Sequence, residues 1–185
     1  MVEIDPDKKP FKEIYDSIAR NAFADFEASI TPHAFANLES PIEELFMFGI
    51  LSCGQIDFVT IRHCVEFDLT KSREILDSNE NHLVFEIYPQ YWVAEKRVDF
   101  AIKAHSKKRN SNGNNEYKNS LICVECDGYA YHHGNPLKAA RDKERDRKLS
   151  KHFDAIMRFT GSELHDKPSA CAMEALVMCM EKLHD

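Results

Sequence analysis

The sequence predicts a mixed α/β fold with one central sheet flanked by helices, and three observations carry that expectation. Helical periodicity runs near the start and again near the end of the chain. Short apolar or alternating runs between them read as strands. A strongly charged helical segment then separates the last two strands, the order expected of a sheet with helices on its faces. The 185 residues allow one domain with a hydrophobic core. Residues 1–39 would form an N-terminal helical extension, 40–165 the core and 166–185 a C-terminal helix.

Each element has its own signal. Phe11–Phe26 carries apolar residues at 11, 14, 15, 18, 22 and 23, a helical spacing broken by Thr31-Pro32. Ser40-Pro41-Ile42-Glu43 is a compact helix start, with Ser as N-cap, Pro at the first helical position and Glu at the third. That helix is expected to reach Cys53, with Gly54 ending it. Asp57–Asp68 alternates as a strand does, and the polar stretch Lys71–Asn81 is a short helix or loop. His82–Ala94 and Arg97–Lys103 read as two strands turned at Glu95-Lys96. Ser106–Glu116 has no apolar residue and reads as a mobile loop. Leu121–Cys126 suits a buried central strand. Asn135-Pro136 opens the charged helix, which runs to about His152; Ala155–Phe159 is a further strand and Pro168–Leu183 a final amphipathic helix. No internal repeat is present.

Composition narrows the function. The chain is 43% hydrophobic and 30% charged, as an ordinary globular protein is. No apolar run reaches membrane-spanning length, and the acidic start, MVEIDPDKKPFKEIYD, lacks a signal-peptide layout. A cytoplasmic protein is expected, with its six cysteines as free, buried thiols. The formal charge is −7, yet residues 91–160 hold 15 bases against 9 acids. That local excess suits a polyanion better than the whole-chain sum suggests. A solvated helix face would give the same count.

Three carboxylates close predicted strands. Asp99 lies on Arg97–Lys103; Glu125 and Asp127, two residues apart, end the strand from Leu121. Alternation puts Glu125 and Asp127 on one face and Cys126 on the other. If the two strands are neighbours, Asp99 joins them in a set of hard oxygen ligands suited to Mg²⁺ or Mn²⁺, with the Cys126 carbonyl as a further ligand. Gathered like charges call for a cation. The pair Cys123 and Cys126 with His132 and His133 brings zinc to mind. A CxxC on a strand points its sulfurs to opposite sides, which disfavours zinc and a redox pair alike. No Gly-rich phosphate loop and no Gly-x-Ser-x-Gly elbow is present.

The run Val124-Glu125-Cys126-Asp127-Gly128, then His132 or His133, then Arg145-Asp146-Arg147-Lys148-Leu149, then Met157-Arg158-Phe159-Thr160-Gly161, resembles a branch of the PD-(D/E)xK superfamily. The branch is that of domains related to very-short-patch repair endonucleases. Arg97-Val98-Asp99-Phe100 resembles the first catalytic Asp of that family, and Ser40–Glu43 its opening helix with a further Glu. The likeness spans roughly residues 40–165. It implies a restriction-endonuclease-like αβββαβ core and metal-dependent hydrolysis of DNA. Asp99 and Glu125 would be metal ligands, and Glu43, with Glu44 as substitute, would orient a water. Asp127 stands where the superfamily has its lysine, a substitution the branch shares. His132, ranked ahead of His133, would serve as general acid or base. Lys138 or Arg141 would replace the missing cation.

The helix Lys138–Lys151 carries seven bases and three acids. Arg141, Arg145 and Lys148 fall on one face, with Lys138 nearby, as contacts for DNA phosphates. Intrahelical pairing is the alternative, and Arg145, Asp146 and Arg158 are alternatively supports for the site. The rival function is a nuclease fold that has lost catalysis and binds nucleic acid or protein. A homodimer is left open.

Overall fold

The computed structural model describes residues 35, 37–53, 59–64, 69–78, 82–127 and 136–184, without the side chains of residues 63, 69 and 136–142. The chain divides into two compact units, Met1–Ala36 and Asn37–Asp185. The second is an α/β unit with a five-stranded mixed sheet. The predicted helix Phe11–Phe26, Gly54, and the outer parts of Asp57–Asp68 lie outside the described residues.

Helix α1 (Pro41–Ser52) starts as its sequence dictates: Ser40 caps it in an extended conformation, accepting from the Glu43 amide, with Pro at the first turn. Strand β1 (Val59–His63) and helix α2 (Leu69–Ser78) follow. Then come β2 (Leu83–Val93), β3 (Lys96–Arg109) and β4 (Asn115–Asp127), helix α3 (Pro136–Leu149) and β5 (Ala155–Thr160). Helices α4 (Gly161–Asp166) and α5 (Pro168–Glu181) end the unit. The sheet order is β1-β2-β3-β4-β5. β2, β3 and β4 form an antiparallel meander, while β1 runs parallel to β2 and β5 parallel to β4. Parallel neighbours need a crossover, and α2 and α3 supply the two.

Each sheet face has its own cover. Phe46 of α1 lies 5.0 Å from Phe100 and 5.8 Å from Phe159, ring centre to ring centre. Ser120 of β4 donates to the Cys179 carbonyl, which brings α5 to the same face. Close approach of the two helices depends on Gly49, where a Cβ would stand 2.3 Å from the Pro168 carbonyl oxygen. The opposite face buries Tyr88, Ala101 and Cys123 under Leu149 of α3 and Phe153. Ser72 of α2 bonds Glu86 there, so both crossover helices cover one face. β2 and β4 run the same way, so two crossovers of equal hand must share a face. None of the six cysteines is in a disulfide, and five of them are buried. Among the described residues no helix is long and apolar enough to cross a membrane.

Three local expectations change. The β2–β3 turn is Ala94-Glu95, not Glu95-Lys96, and both residues have positive φ (46° and 63°). Two successive left-handed residues make the type I′ geometry that matches strand twist, here without the usual glycine. Ser106–Glu116 is mostly strand rather than loop: β3 continues to Arg109, β4 begins at Asn115, and only 110–114 turn. These strand ends extend past Leu83, the first residue of β2, and pack little beyond Lys107 and Tyr117, which both reach Asp77 of α2, so 106–116 shows no apolar alternation. Helix α4 was not anticipated, although Thr160 and Glu163 form a capping box.

Candidate functional site

The register brings the expected carboxylates together. One step beyond the Phe100–Val124 pair, Asp99 faces Glu125 across β3 and β4. Glu125 in turn pairs with Arg158 of β5. On the other side of β3, between the pairs Pro89–Phe100 and Tyr91–Val98, Gln90 faces Asp99. A row of four residues, Gln90, Asp99, Glu125 and Arg158, therefore crosses the sheet. The next row outward holds Trp92 and Arg97, with Asp127 beside Thr160. Cys126 turns the other way, into the α1 face, as alternation requires.

Hydrogen bonds hold the row. The Cys126 amide donates to Asp99 Oδ2 at 2.7 Å. Arg145 Nη2 reaches in from α3 and donates to both oxygens of Glu125, at 2.7 and 3.0 Å, and to the Arg97 carbonyl at 3.1 Å. Arg158 takes both oxygens of Asp146 in a two-pronged pair. It also lines, with Asp146, Arg147, Ser150 and Ile156, an open cavity of about 460 Å³.

Glu43 approaches from the first turn of α1 and is 5% exposed, whereas Glu44 points to solvent. Three donors fix its carboxylate. Ser40 Oγ donates to Oε1 at 2.8 Å; the Glu39 amide and Gln90 Nε2 donate to Oε2 at 2.9 and 2.6 Å. The helix-capping pattern read from the sequence is thus also what aims Glu43.

Electrostatics mark the row as unsettled. Burial, opposed by Arg145 and reinforced by Asp99, pushes Glu125 up to about 7. Burial raises Asp99 too, the Cys126 amide offsetting part of it and Glu43 and Asp127 adding to it. Burial also pushes the Cys123 and Cys126 thiols well up, with Glu125 adding most among the charges at Cys123 and Asp99 at Cys126. Such thiols stay protonated, which agrees with their opposed directions and not with a thiolate metal site.

The remaining expected residues divide. Asp127 is half-buried in the outer row. Arg145 turns inward onto Glu125 rather than outward to a phosphate, and Lys148 is exposed and pairs with Glu144 at 2.8 Å. His132, His133 and the side chains of Lys138 and Arg141 lie outside what is described. Gln90 was missed. Its role depends on a left-handed backbone (φ 51°) inside a strand, which composition does not signal.

In kind, the donor set fits a hard divalent cation: Asp99 and Glu125, opposite one another in register, both carry carboxylates of raised proton affinity. Among the described residues no three His, Cys, Asp or Glu side chains form a ready-made cage. Comparison with protein-family models, curated proteins and solved structures finds no match to this chain.

Proposed function

We propose that the chain is a divalent-metal-dependent nuclease of the PD-(D/E)xK type that hydrolyses DNA phosphodiester bonds with Mg²⁺ or Mn²⁺. The observation that carries this reading is the pairing of Asp99 with Glu125 across β3 and β4, with Glu43 acting on Asp99 from α1. The order α1, β2, β3, β4, α3, β5 around that pair supports a restriction-endonuclease-like αβββαβ core, with β1 and α2 inserted after the first helix.

A bound Mg²⁺ or Mn²⁺ would lower the pKa of a coordinated water and neutralise phosphate charge. Asp99 and Glu125, with the Cys126 carbonyl, are the residues that would hold it. The Cys126 amide fixes the direction of Asp99, and the cap fixes Glu43 where it can orient a water. A Glu125 near pH 7 makes cation and proton competitors for one carboxylate. Asp127 leaves the superfamily's lysine role open. Arg145 is engaged within the site, so phosphate contact falls to Lys138, Arg141 and Lys148 on the same helix.

A second reading, a binding module without catalysis, is favoured by one observation: Arg145 Nη2 already bridges both oxygens of Glu125. Calorimetry with Mn²⁺ on wild type and on the Asp99→Ala/Glu125→Ala double variant tests the metal site. Binding heat present in the first and absent in the second is expected; equal heats would sink it. Incubation with single-stranded, duplex, mismatched and branched DNA plus Mn²⁺ tests the activity. Cleavage by wild type and none by Glu125→Ala is expected. Metal binding without cleavage of any substrate would leave the binding module standing.

A further inference from the structure

Gln90 sits where a side chain of no special role would not be expected. It is a non-glycine residue with φ 51°, in the left-handed region, eight residues into β2. For L-residues that conformation is strained, and strain of this kind persists where surrounding contacts over-determine it. One contact that does so is the 2.6 Å hydrogen bond from Gln90 Nε2 to Glu43 Oε2. Backbone register independently sets Gln90 opposite Asp99. The other half of the same planar amide, Oε1, is a buried side-chain atom with no hydrogen-bond partner, alone in that condition among the described residues.

A buried acceptor left without a donor costs free energy, and native proteins rarely leave one so. The amide cannot be turned to relieve it. Glu43 Oε2 accepts, so the nitrogen must be the atom that meets it, and Oε1 is left for another donor. What Oε1 lacks is a donor, and a water beside Glu43 and Asp99 would supply one while finding the two to four polar partners a buried water needs.

We propose that Gln90 is a positioning residue of the site: Nε2 locks the Glu43 carboxylate, and Oε1 accepts a hydrogen bond from a water lying between Glu43 and Asp99. This rests on the nuclease reading, and it deepens that reading by giving the orientation of the attacking water to a Glu43–Gln90 pair. The water's second hydrogen points along Oε1 and its first toward a carboxylate, which leaves a lone pair free for phosphorus. The left-handed backbone is what aims the amide; a β conformation at residue 90 would swing it away from α1.

Two variants separate positioning from structure. Gln90→Gly and Gln90→Asn both accept a positive φ, but neither can span to Glu43. Each is expected to keep the unfolding midpoint within about 3 °C of wild type. Each is also expected to lose about tenfold to a hundredfold in kcat on the cleaved DNA, with KM within about twofold. Glu43→Gln combined with Gln90→Gly should be no slower than the slower single variant, because the two act as one unit. Unchanged kcat in Gln90→Gly, or losses that multiply in the double variant, would overturn the proposal. So would a loss that tracks a fall in midpoint. If wild type cleaves nothing, the nuclease reading fails on its own account, and the Gln90 tie is then read by NMR. Its side-chain amide protons should resonate downfield and move on Glu43→Gln; coincident spectra would reject the contact.

Discussion

Two buried glutamates in this sheet share a face and differ in almost everything else. Glu86, fully buried on β2, is surrounded by donors from four elements. Arg62 Nη1 of β1 reaches Oε1 at 2.9 Å, and Ser72 of α2 donates to the same oxygen. Tyr88 Oη donates to Oε2 at 2.6 Å. His105 Nε2 of β3 lies 3.0 Å from Oε2, and facing a carboxylate that nitrogen must carry the proton. Glu125, 4% exposed on β4, has two guanidinium neighbours, Arg145 and Arg158, and one carboxylate, Asp99, but hydrogen bonds from Arg145 alone among cationic donors. Burial alone would raise both groups. At Glu86, His105, Ser72 and Tyr88 overcome it and hold the carboxyl down to about 2. At Glu125 burial wins and the group rises to about 7. The difference is donors: a buried charge with its lone pairs filled is structural, and one left short of donors is open to a ligand.

That contrast is easiest to break at Glu86. Glu86→Ala strands Arg62 and His105 in the interior and unpicks the joint between β1, α2 and the meander. A loss of about 3–5 kcal/mol is expected in urea unfolding. A loss below about 1 kcal/mol would show that the network is not what fastens β1 and α2.

Glu125 should behave in the opposite sense. Its folded value lies above the unfolded one, so the folded state holds the proton more tightly. In protein kept metal-free with chelator, that stability is complete below about pH 4.5 and is lost as pH rises through about 7, a change of roughly 3 kcal/mol. Glu125→Gln stays neutral, removes the slope and should be the more stable protein at pH 8, at the cost of cleavage. Parallel stability profiles for the two proteins between pH 5 and 8 would contradict this. Glu86 runs the other way: its contribution is present above about 4.5 and lost as pH falls through about 2.

The smallest effect is expected at Glu144, an exposed carboxylate paired with Lys148 one helical turn on. Lys148→Ala should move the unfolding midpoint by no more than about 1 °C, and less in high salt. A larger shift would mean that Lys148 touches more than Glu144.

What the sequence disclosed, and what it hid, follows the range of the interaction. Ser40, Pro41 and Glu43 announce a helix start because capping is local, and Glu125 and Asp127 share a face because a strand alternates. Asp99 opposite Glu125 is a pairing 26 residues apart in sequence; alternation makes it conceivable but only the β3–β4 register sets it. Helical spacing placed Arg145 beside Lys148 but could not say that Arg145 turns inward, since direction depends on what lies beneath α3. Residues 106–109 and 115–116 were read as loop because the strand signal is a burial signal, and none of them is a buried apolar residue. The Glu86 network draws on residues 62, 72, 86, 88 and 105, a scatter without any sequence pattern. The Thr160–Glu163 box was legible and overlooked.

The far end of the β3–β4 hairpin has a practical meaning. Its turn, 110–114, is fastened to itself: Asn110 Oδ1 accepts from the Asn112 and Asn114 amides, and Gly113 takes the positive φ of 78°. Along β3 it stands eleven residues from Asp99, about 36 Å of extended strand. Ladder pairs from Phe100–Val124 out to Arg109–Asn115 lie between them. One residue added within that ladder would slide Asp99 past Glu125 and turn its neighbours over to the wrong face. One residue added in the turn would change nothing in the ladder. Residues 110–114 are thus a natural handle, a place to graft a tag, a fluorophore or a tether while leaving the alignment of the carboxylates as it is.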